Sequence, residues 1–458
     1  MKINPPLKYS VEEAISPLDG RNRPKVEMLA LYFSDFALTK YRLLVEVAYF
    51  KKLAQIKIIR RLTPSEIKLL DNLTNNFDQK SYSSVKNLEK TTNHDMKAVE
   101  MFFQNKITAT SLKDLVSMVH FCLTSDDINS LAYGLMVKGG LFQVIISELE
   151  KVQMFLKNNC REYKNFAMLG HTHGQPAVPT TVGKEFLVYH ERLKTELNLL
   201  KKSVLKGKLT GNVGNFNAHF FVYPKIDWLK FSREFVKELG LEPDLATTQI
   251  EPYDSFLRVF SNLIRINNIL LGLCIDLWDY ISLGYFSQKV IDQEVGSTAL
   301  PHKVNPINFE GAEGGFGIAN ALLEFYVRKL SYSRMQRDLS DSIVRRSFGT
   351  AFGYSLLSYK SLQEGLARIH PNKIRLHEDL HRHWEILSEA IQNFLRNQGY
   401  KQAYDQTKIF FRGKSCGPEE IKKFINSLKL KDQDKNKLLQ LTPENYTGAA
   451  EKLIEQIL

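Results

Sequence analysis

The chain has 458 residues, of which 43% are hydrophobic and 24% charged, with 62 Lys and Arg against 50 Asp and Glu. Such a makeup describes a globular protein of roughly two to four domains with a large core. The formal charge of +12 comes from lysines scattered along the chain with no run of five basic residues, which favours pockets for small anions over a nucleic-acid surface.

In chain order, the opening MKINPPLKYSVEE carries prolines and charges where a signal peptide needs an apolar stretch, so secretion is not expected. Cys122, Cys160, Cys274 and Cys416 are far apart and form no CxxC pair, which suggests neither a disulfide framework nor a cysteine zinc site and fits a reducing, cytoplasmic location. Between Ser34 and Ile59 the apolar positions Leu38, Tyr41, Val45, Ala48 and Leu53 recur at helical spacing, with Ser34 as N-cap. A second helix starts at Thr63-Pro64-Ser65-Glu66, where Thr63 and Glu66 can form a capping box around Pro64.

From Asp127 to Asn158 the spacing predicts one helix of roughly 45 Å. Another follows Pro179, where Val182, Phe186, Tyr189, Leu193, Leu197, Leu200 and Val204 step by three and four. The stretch Ser255 to Leu283 forms a third; Asp276 and Asp279 interrupt its apolar run, so it reads as a buried helix and no membrane span is expected. With few strand-like alternations, the expected fold is all-α, a long central helical bundle flanked by smaller helical domains. The expected divisions are 1–111, 112–369 and 370–458. A bundle helix apolar nearly all round implies burial in an oligomer.

Four segments break the helical pattern. Thr91-Thr92-Asn93-His94-Asp95 precedes a helical run, and its donors suit an anion at a helix N-terminus or simple capping by Thr92 or Asn93. Thr124-Ser125-Asp126-Asp127 opens the long helix with the same two readings, and its aspartates would repel an anion unless they point away. His171-Thr172-His173-Gly174-Gln175-Pro176 is a polar turn. It lacks a third ligand at zinc-like spacing, which leaves acid–base chemistry or a structural role. Gly296-Ser297-Thr298-Ala299-Leu300-Pro301-His302-Lys303-Val304-Asn305-Pro306 is an irregular loop in which Lys303 and Asn305 suit a carboxylate. It lacks the GxxxxGK[ST] spacing of a nucleotide P-loop.

GSTALPHKVNP resembles the GSSxMPxKxNP signature loop of the fumarase/aspartase superfamily, with Thr298 and Leu300 as departures. TTNHDMKAVE, HFCLTSDDIN, THGQPAVPTTVGKE, TTQIEPYD and MQRDLSDSIVRR, in that order, look like the adenylosuccinate lyase family of bacterial purine pathways; SPLDGR and LTPENY extend the likeness toward both ends. The resemblance implies a homotetramer with active sites shared among three subunits, nucleotide substrates, and no metal or organic cofactor. It implies a carbon–nitrogen lyase that releases fumarate from adenylosuccinate to give AMP and from SAICAR to give AICAR.

Carried over by position, His173 matches the general acid and Ser297 the general base. Lys303 and Asn305 match the groups holding the succinyl carboxylate. Asn93, His94, Asp95, Thr124, Ser125, Gln249, Arg337, Ser342 and Arg346 match substrate-binding positions. Arg21 matches the SPxDGRY motif, with Asn22 where tyrosine is usual, and His171 receives no catalytic role. Gly296 and a flexible flank from Ser287 are expected to let the loop close and favour a Ser297 alkoxide. Other members of the superfamily, such as argininosuccinate lyase or fumarase, and a non-catalytic helical scaffold binding RNA are the rival readings.

Overall fold

The computed structural model describes residues 13–296 and 298–458. Helix α1 (Asp35–Gln55) begins where Ser34 Oγ accepts from Ala37 N at 3.1 Å. Helix α2 (Pro64–Asn75) opens with the expected capping box: Thr63 N donates to Glu66 Oε2 at 2.8 Å and Glu66 N to Thr63 Oγ1 at 3.3 Å. Helices α3 (Gln79–Thr92) and α4 (Asp95–Thr108) follow. Helix α5 (Ser125–Glu162) runs 38 residues through a π-helical turn at Leu141–Ile145, longer at both ends than its periodicity implied.

Strands β1 (Ala167–Thr172) and β2 (Gln175–Thr181) form an antiparallel hairpin, and helix α6 (Val182–Lys201) follows Pro179 from Val182 as its spacing implied, ending before Val204. Next come α7 (Trp228–Glu238), α8 (Asp254–Ser282), α9 (Ile307–Lys329), α10 (Ser340–Arg346) and α11 (Phe348–Leu366). Helices α12 (Lys373–Arg382), α13 (Ser388–Asn397), α14 (Ala403–Phe411) and α15 (Pro418–Ser427) lie toward the C-terminal end. The fold is all-α, and its strands are short. Helices α5 and α8 are long and apolar enough to cross a membrane, yet 67% and 50% of their most apolar stretches are buried in protein.

The chain divides into two compact units: Met1–Leu149, Glu196–Asn268 and Gly314–Lys360 form the first, and Glu150–Thr195, Ile269–Glu313 and Ser361–Leu458 the second. In the first unit the buried faces of α1 and α5 supply Leu43, Val45, Phe50, Leu53, Ile128, Leu131 and Val137. Phe260, Tyr326 and Phe348 pack as an aromatic knot with ring centroids 5.0–5.8 Å apart. Beside this apolar packing, Tyr359 Oη donates to Asn267 Oδ1 at 2.6 Å and Asn267 Nδ2 to Asn320 Oδ1 at 3.0 Å. A buried polar layer whose partners must align favours one helix register over the slipped alternatives. In the second unit, Leu169 of the hairpin packs with Leu380, Leu387, Ile391, Leu395, Phe411, Ile421 and Ile425.

Candidate active site

The first unit carries an open cavity of about 900 Å³. Nine residues singled out in the sequence line it: Asn93, His94, Asp95, Thr124, Ser125, Gln249, Arg337, Ser342 and Arg346. The turn between α3 and α4 brings in the first three. Asn93 takes a left-handed φ of 50° to end α3, and His94 caps α4 by accepting from Lys97 N at its Nδ1, 3.1 Å away. The cap is therefore made by His94, not by Thr92 or Asn93. With Nδ1 accepting, the neutral ring carries its proton on Nε2 and can donate through it.

At the start of α5 the Asp127 carboxylate accepts from Thr124 N at 2.9 Å. Asp127 is wholly buried against Lys208, Oδ1 to Nζ 2.9 Å, and takes two further N–H bonds from Thr210 and Gly211 at 3.0 and 3.1 Å. Burial alone would push this carboxyl up; the Lys208 ammonium and the N–H groups of Thr124 and Thr210 outweigh it and hold the carboxyl below its ordinary value. Asp126 is neutralised separately, with Arg345 Nη1 at 2.9 Å and Arg337 Nη1 at 3.4 Å. Both aspartates are thus charge-paired, which removes the repulsion that the sequence left open and lets the N-terminal end of α5 favour an anion.

Across the cavity, Arg337 Nη1 donates to Gln249 Oε1 at 3.2 Å and Gln249 Nε2 to Asn212 Oδ1 at 2.5 Å. Lys208 Nζ also donates to Gln249 O at 2.8 Å, so one buried ammonium sets both the start of α5 and the Gln249 backbone. Arg346 reaches Asp95 at 2.5 Å and Asp35 at 3.3 Å, and Arg42 reaches Asp95 at 2.8 Å. Burial raises the Asp95 carboxyl, but Arg42 and Arg346 bring it well below its ordinary value. Four arginines line this cavity, Arg42, Arg337, Arg345 and Arg346. Planar guanidinium forks suit phosphate and carboxylate oxygens.

Arg21 and Asn22 stand outside that lining, in the turn that leads to the short helix Arg23–Val26. Ser16, Leu18, Asp19 and Arg23 of the same segment line a second cavity of about 370 Å³, which Arg346 also borders.

The second unit holds the hairpin and the signature loop. His173 and Gly174 form the two-residue tip between Thr172 and Gln175, with φ of 54° and 69°. Positive φ at both positions is what a tight hairpin turn of this hand requires, and it is costly for a residue with a Cβ. The His173 ring is exposed and makes no hydrogen bond among the described residues. His171 lies 6.2 Å from Tyr285, ring to ring.

Gly296 sits so close to Lys303 that an added Cβ would fall 1.9 Å from its carbonyl oxygen. Asn305 Nδ2 donates to Gly296 O at 2.7 Å and pins the two ends of the loop together. Lys303 is exposed and, with Asn305, lines a cavity of about 550 Å³. Ser297 lies outside the described residues. Ser287 is not a loose flank: Phe286–Gln288 pairs with Ile369–Pro371, Ser287 opposite His370, because backbone groups there are satisfied by a ladder. Lys289 N continues the tie, donating to Arg368 O at 2.7 Å.

Residues 25–317 match a family model described as lyase, and residues 333–447 one described as adenylosuccinate lyase C-terminal. The adenylosuccinate lyase of Legionella pneumophila is 46% identical over 446 residues, covering 96% of this chain and 98% of that protein. That of Escherichia coli is 40% identical over 455 residues, covering 98% and 100%. This chain belongs to the adenylosuccinate lyase family. In fold it is similar to a fumarate lyase from Mesorhizobium sp. BNC1, with a TM-score of 0.78 at 18% identity over 94% of this chain and 97% of that one.

Within this member of the family, sequence reasoning missed Arg42, Asn129 and Asn212. Arg42 had a signal: it lies on the apolar stripe of α1 between Leu38 and Val45, and it is buried, donating through Nε to Asn129 Oδ1 at 2.8 Å. An arginine on a core-facing stripe needs partners, and a site supplies them. Asn212 lies in a glycine-bounded turn where Gly214, at φ 87°, leaves no room for a Cβ beside Thr247 O, 2.0 Å away. Two glycines close together between helical stretches were its only trace.

Proposed function

We propose that the protein cleaves adenylosuccinate to AMP and fumarate, and SAICAR to AICAR and fumarate. The observation that carries this reading is the cavity of about 900 Å³ in which nine motif residues from widely separated segments converge. Its size fits a nucleotide bearing a succinyl group, within the range of roughly 300–1,000 Å³ usual for ligand pockets.

In this reading the arginines, Ser342 and the first turn of α5 hold phosphate and carboxylate oxygens, while His94 Nε2 donates. Ser297 takes the proton from the succinyl carbon beta to the departing nitrogen. The electron pair left behind spreads into the adjoining carboxylate, held by Lys303 and Asn305, a stabilisation of several kcal/mol. It then forms the fumarate double bond as the C–N bond breaks, and His173 delivers a proton to the departing nitrogen, worth about 10²- to 10⁴-fold.

The chain works as a homotetramer in which different subunits bring His173, the signature loop and the nucleotide cavity together, in the cytoplasm. Supporting this, Val188 and Leu199 on α6, Ile275 and Trp278 on α8, and Ile318 and Phe325 on α9 are large apolar side chains left exposed in one chain. The exposed hairpin tip carrying His173 has the same explanation. Purified protein is tested spectrophotometrically with adenylosuccinate, SAICAR, argininosuccinate and malate. Turnover of the first two is expected, and turnover of argininosuccinate or malate alone would overturn the reading.

A further inference from the structure

Apart from the site above, one cluster of metal-ligating side chains stands out among the described residues of the second unit. Helix α12 carries His377 and His381 one helical turn apart, their rings edge to face with centroids 4.1 Å apart. Opposite them, Glu444 projects from a turn closed on itself: Thr442 N donates to Asn445 Oδ1 at 2.9 Å, and Asn445 N to Thr442 Oγ1 at 3.2 Å. Asn445 Nδ2 also donates to Gln440 O at 2.8 Å, fixing the turn to the preceding helix end.

The donor atoms converge. His377 Nδ1 is 3.1 Å from Glu444 Oε1, His381 Nε2 is 3.6 Å from Glu444 Oε2, and one donor from each of the three lies within 4.8 Å of the others. His381 Nε2 is shut off from solvent and has no hydrogen-bond partner among the described residues. Its distance from the carboxylate is too long for a hydrogen bond. It suits two ligands of one ion: bonds of about 2.0–2.2 Å at tetrahedral angles set donor atoms roughly 3.3–3.5 Å apart.

We propose that His377, His381 and Glu444 form a binding site for a zinc-class divalent cation, with water in the fourth position. Two imidazoles and one carboxylate favour this ion over magnesium or calcium, which take oxygen ligands. The ion clips α12 to the 442–445 turn, two segments far apart in sequence, and so steadies the C-terminal part of the second unit. Its role is structural and separate from the elimination. The competing arrangement, two imidazolium–carboxylate ion pairs, needs protonated rings and no metal.

The test uses the full-length protein, stripped by chelation and titrated calorimetrically with zinc chloride at pH 7.5. One ion per chain is expected, bound at micromolar affinity or tighter, with a rise in melting temperature reversed by chelator. His377→Ala and Glu444→Gln, both at exposed positions, are expected to weaken binding at least tenfold while keeping the wild-type circular dichroism. Cobalt added to the wild type alone should give tetrahedral absorption bands. Binding weaker than about 100 µM, or a loss below tenfold in both variants, overturns the site.

Discussion

Replacing Lys208 by methionine removes the ammonium that faces Asp127 at 2.9 Å where both side chains are fully buried. Breaking a buried pair from one side generally costs about 3–5 kcal/mol, because the remaining charge is left without its counter-ion. Three N–H donors stay on Asp127, from Thr124, Thr210 and Gly211, which pulls the figure toward the lower end. Against that, Lys208 Nζ also gives up its bonds to Gly211 O at 3.0 Å and Gln249 O at 2.8 Å, each worth about 0.5–1.5 kcal/mol net.

A loss of about 4 kcal/mol follows, together with a KM raised about tenfold as Gln249 loses its anchor. In the double variant Asp127→Asn/Lys208→Met no charge is buried and the amide oxygen can keep the Thr210 and Gly211 N–H bonds, while the amide nitrogen then faces Thr124 N, so part of the loss should return. Urea midpoints of the wild type, both single variants and the double variant, at one protein concentration, give the coupling. A Lys208→Met loss under 1 kcal/mol, or a double variant no better than the single, refutes the reasoning.

Glu251 is a second probe, since burial, opposed mainly by the bond from Tyr253 N, pushes its carboxyl from 4.5 up to about 8. A raised folded-state value means stability is complete below about 4.5 and is lost as pH rises to about 8, accumulating to about 5 kcal/mol at ~1.4 kcal/mol per pH unit. Glu251→Gln should therefore flatten the pH dependence and raise stability at pH 8, and parallel denaturation curves for both proteins between pH 5 and 8.5 would contradict this. Gly296→Ala forces a Cβ onto Lys303 O, 1.9 Å away, so turnover should fall at least about tenfold with melting nearly unchanged. Arg346→Lys keeps the charge and loses the fork, so KM should rise about tenfold with kcat less affected; an unchanged KM removes Arg346 from substrate binding. His173→Ala and Ser297→Ala should each lower turnover at least a hundredfold, yet regain activity when mixed, and no recovery after subunit exchange would exclude a shared site.

Helix positions in this chain were readable because capping and periodicity are local. Ser34, Thr63 with Glu66, and the run from Ser255 to Leu283 each encode their helix within a few residues. Family motifs likewise mark nine residues that the fold gathers around one cavity. The HTHGQP segment was legible as a turn but not as part of a hairpin: the buried Met168 and Leu169 are adjacent and do not alternate with polar residues, and the hairpin rests on the His173-Gly174 tip and on Leu169 packing with the C-terminal helices.

Charge was the other blind spot. Asp126 and Asp127 are adjacent in the chain, yet one meets Arg345 and the other Lys208, partners more than 80 residues away. Composition shows how many charges there are, and local spacing shows which helix carries them. Which carboxylate is silenced, and which arginine remains for a phosphate, depends on contacts between segments that no local pattern records, and Coulomb energies at 3 Å in a buried site are set by those contacts.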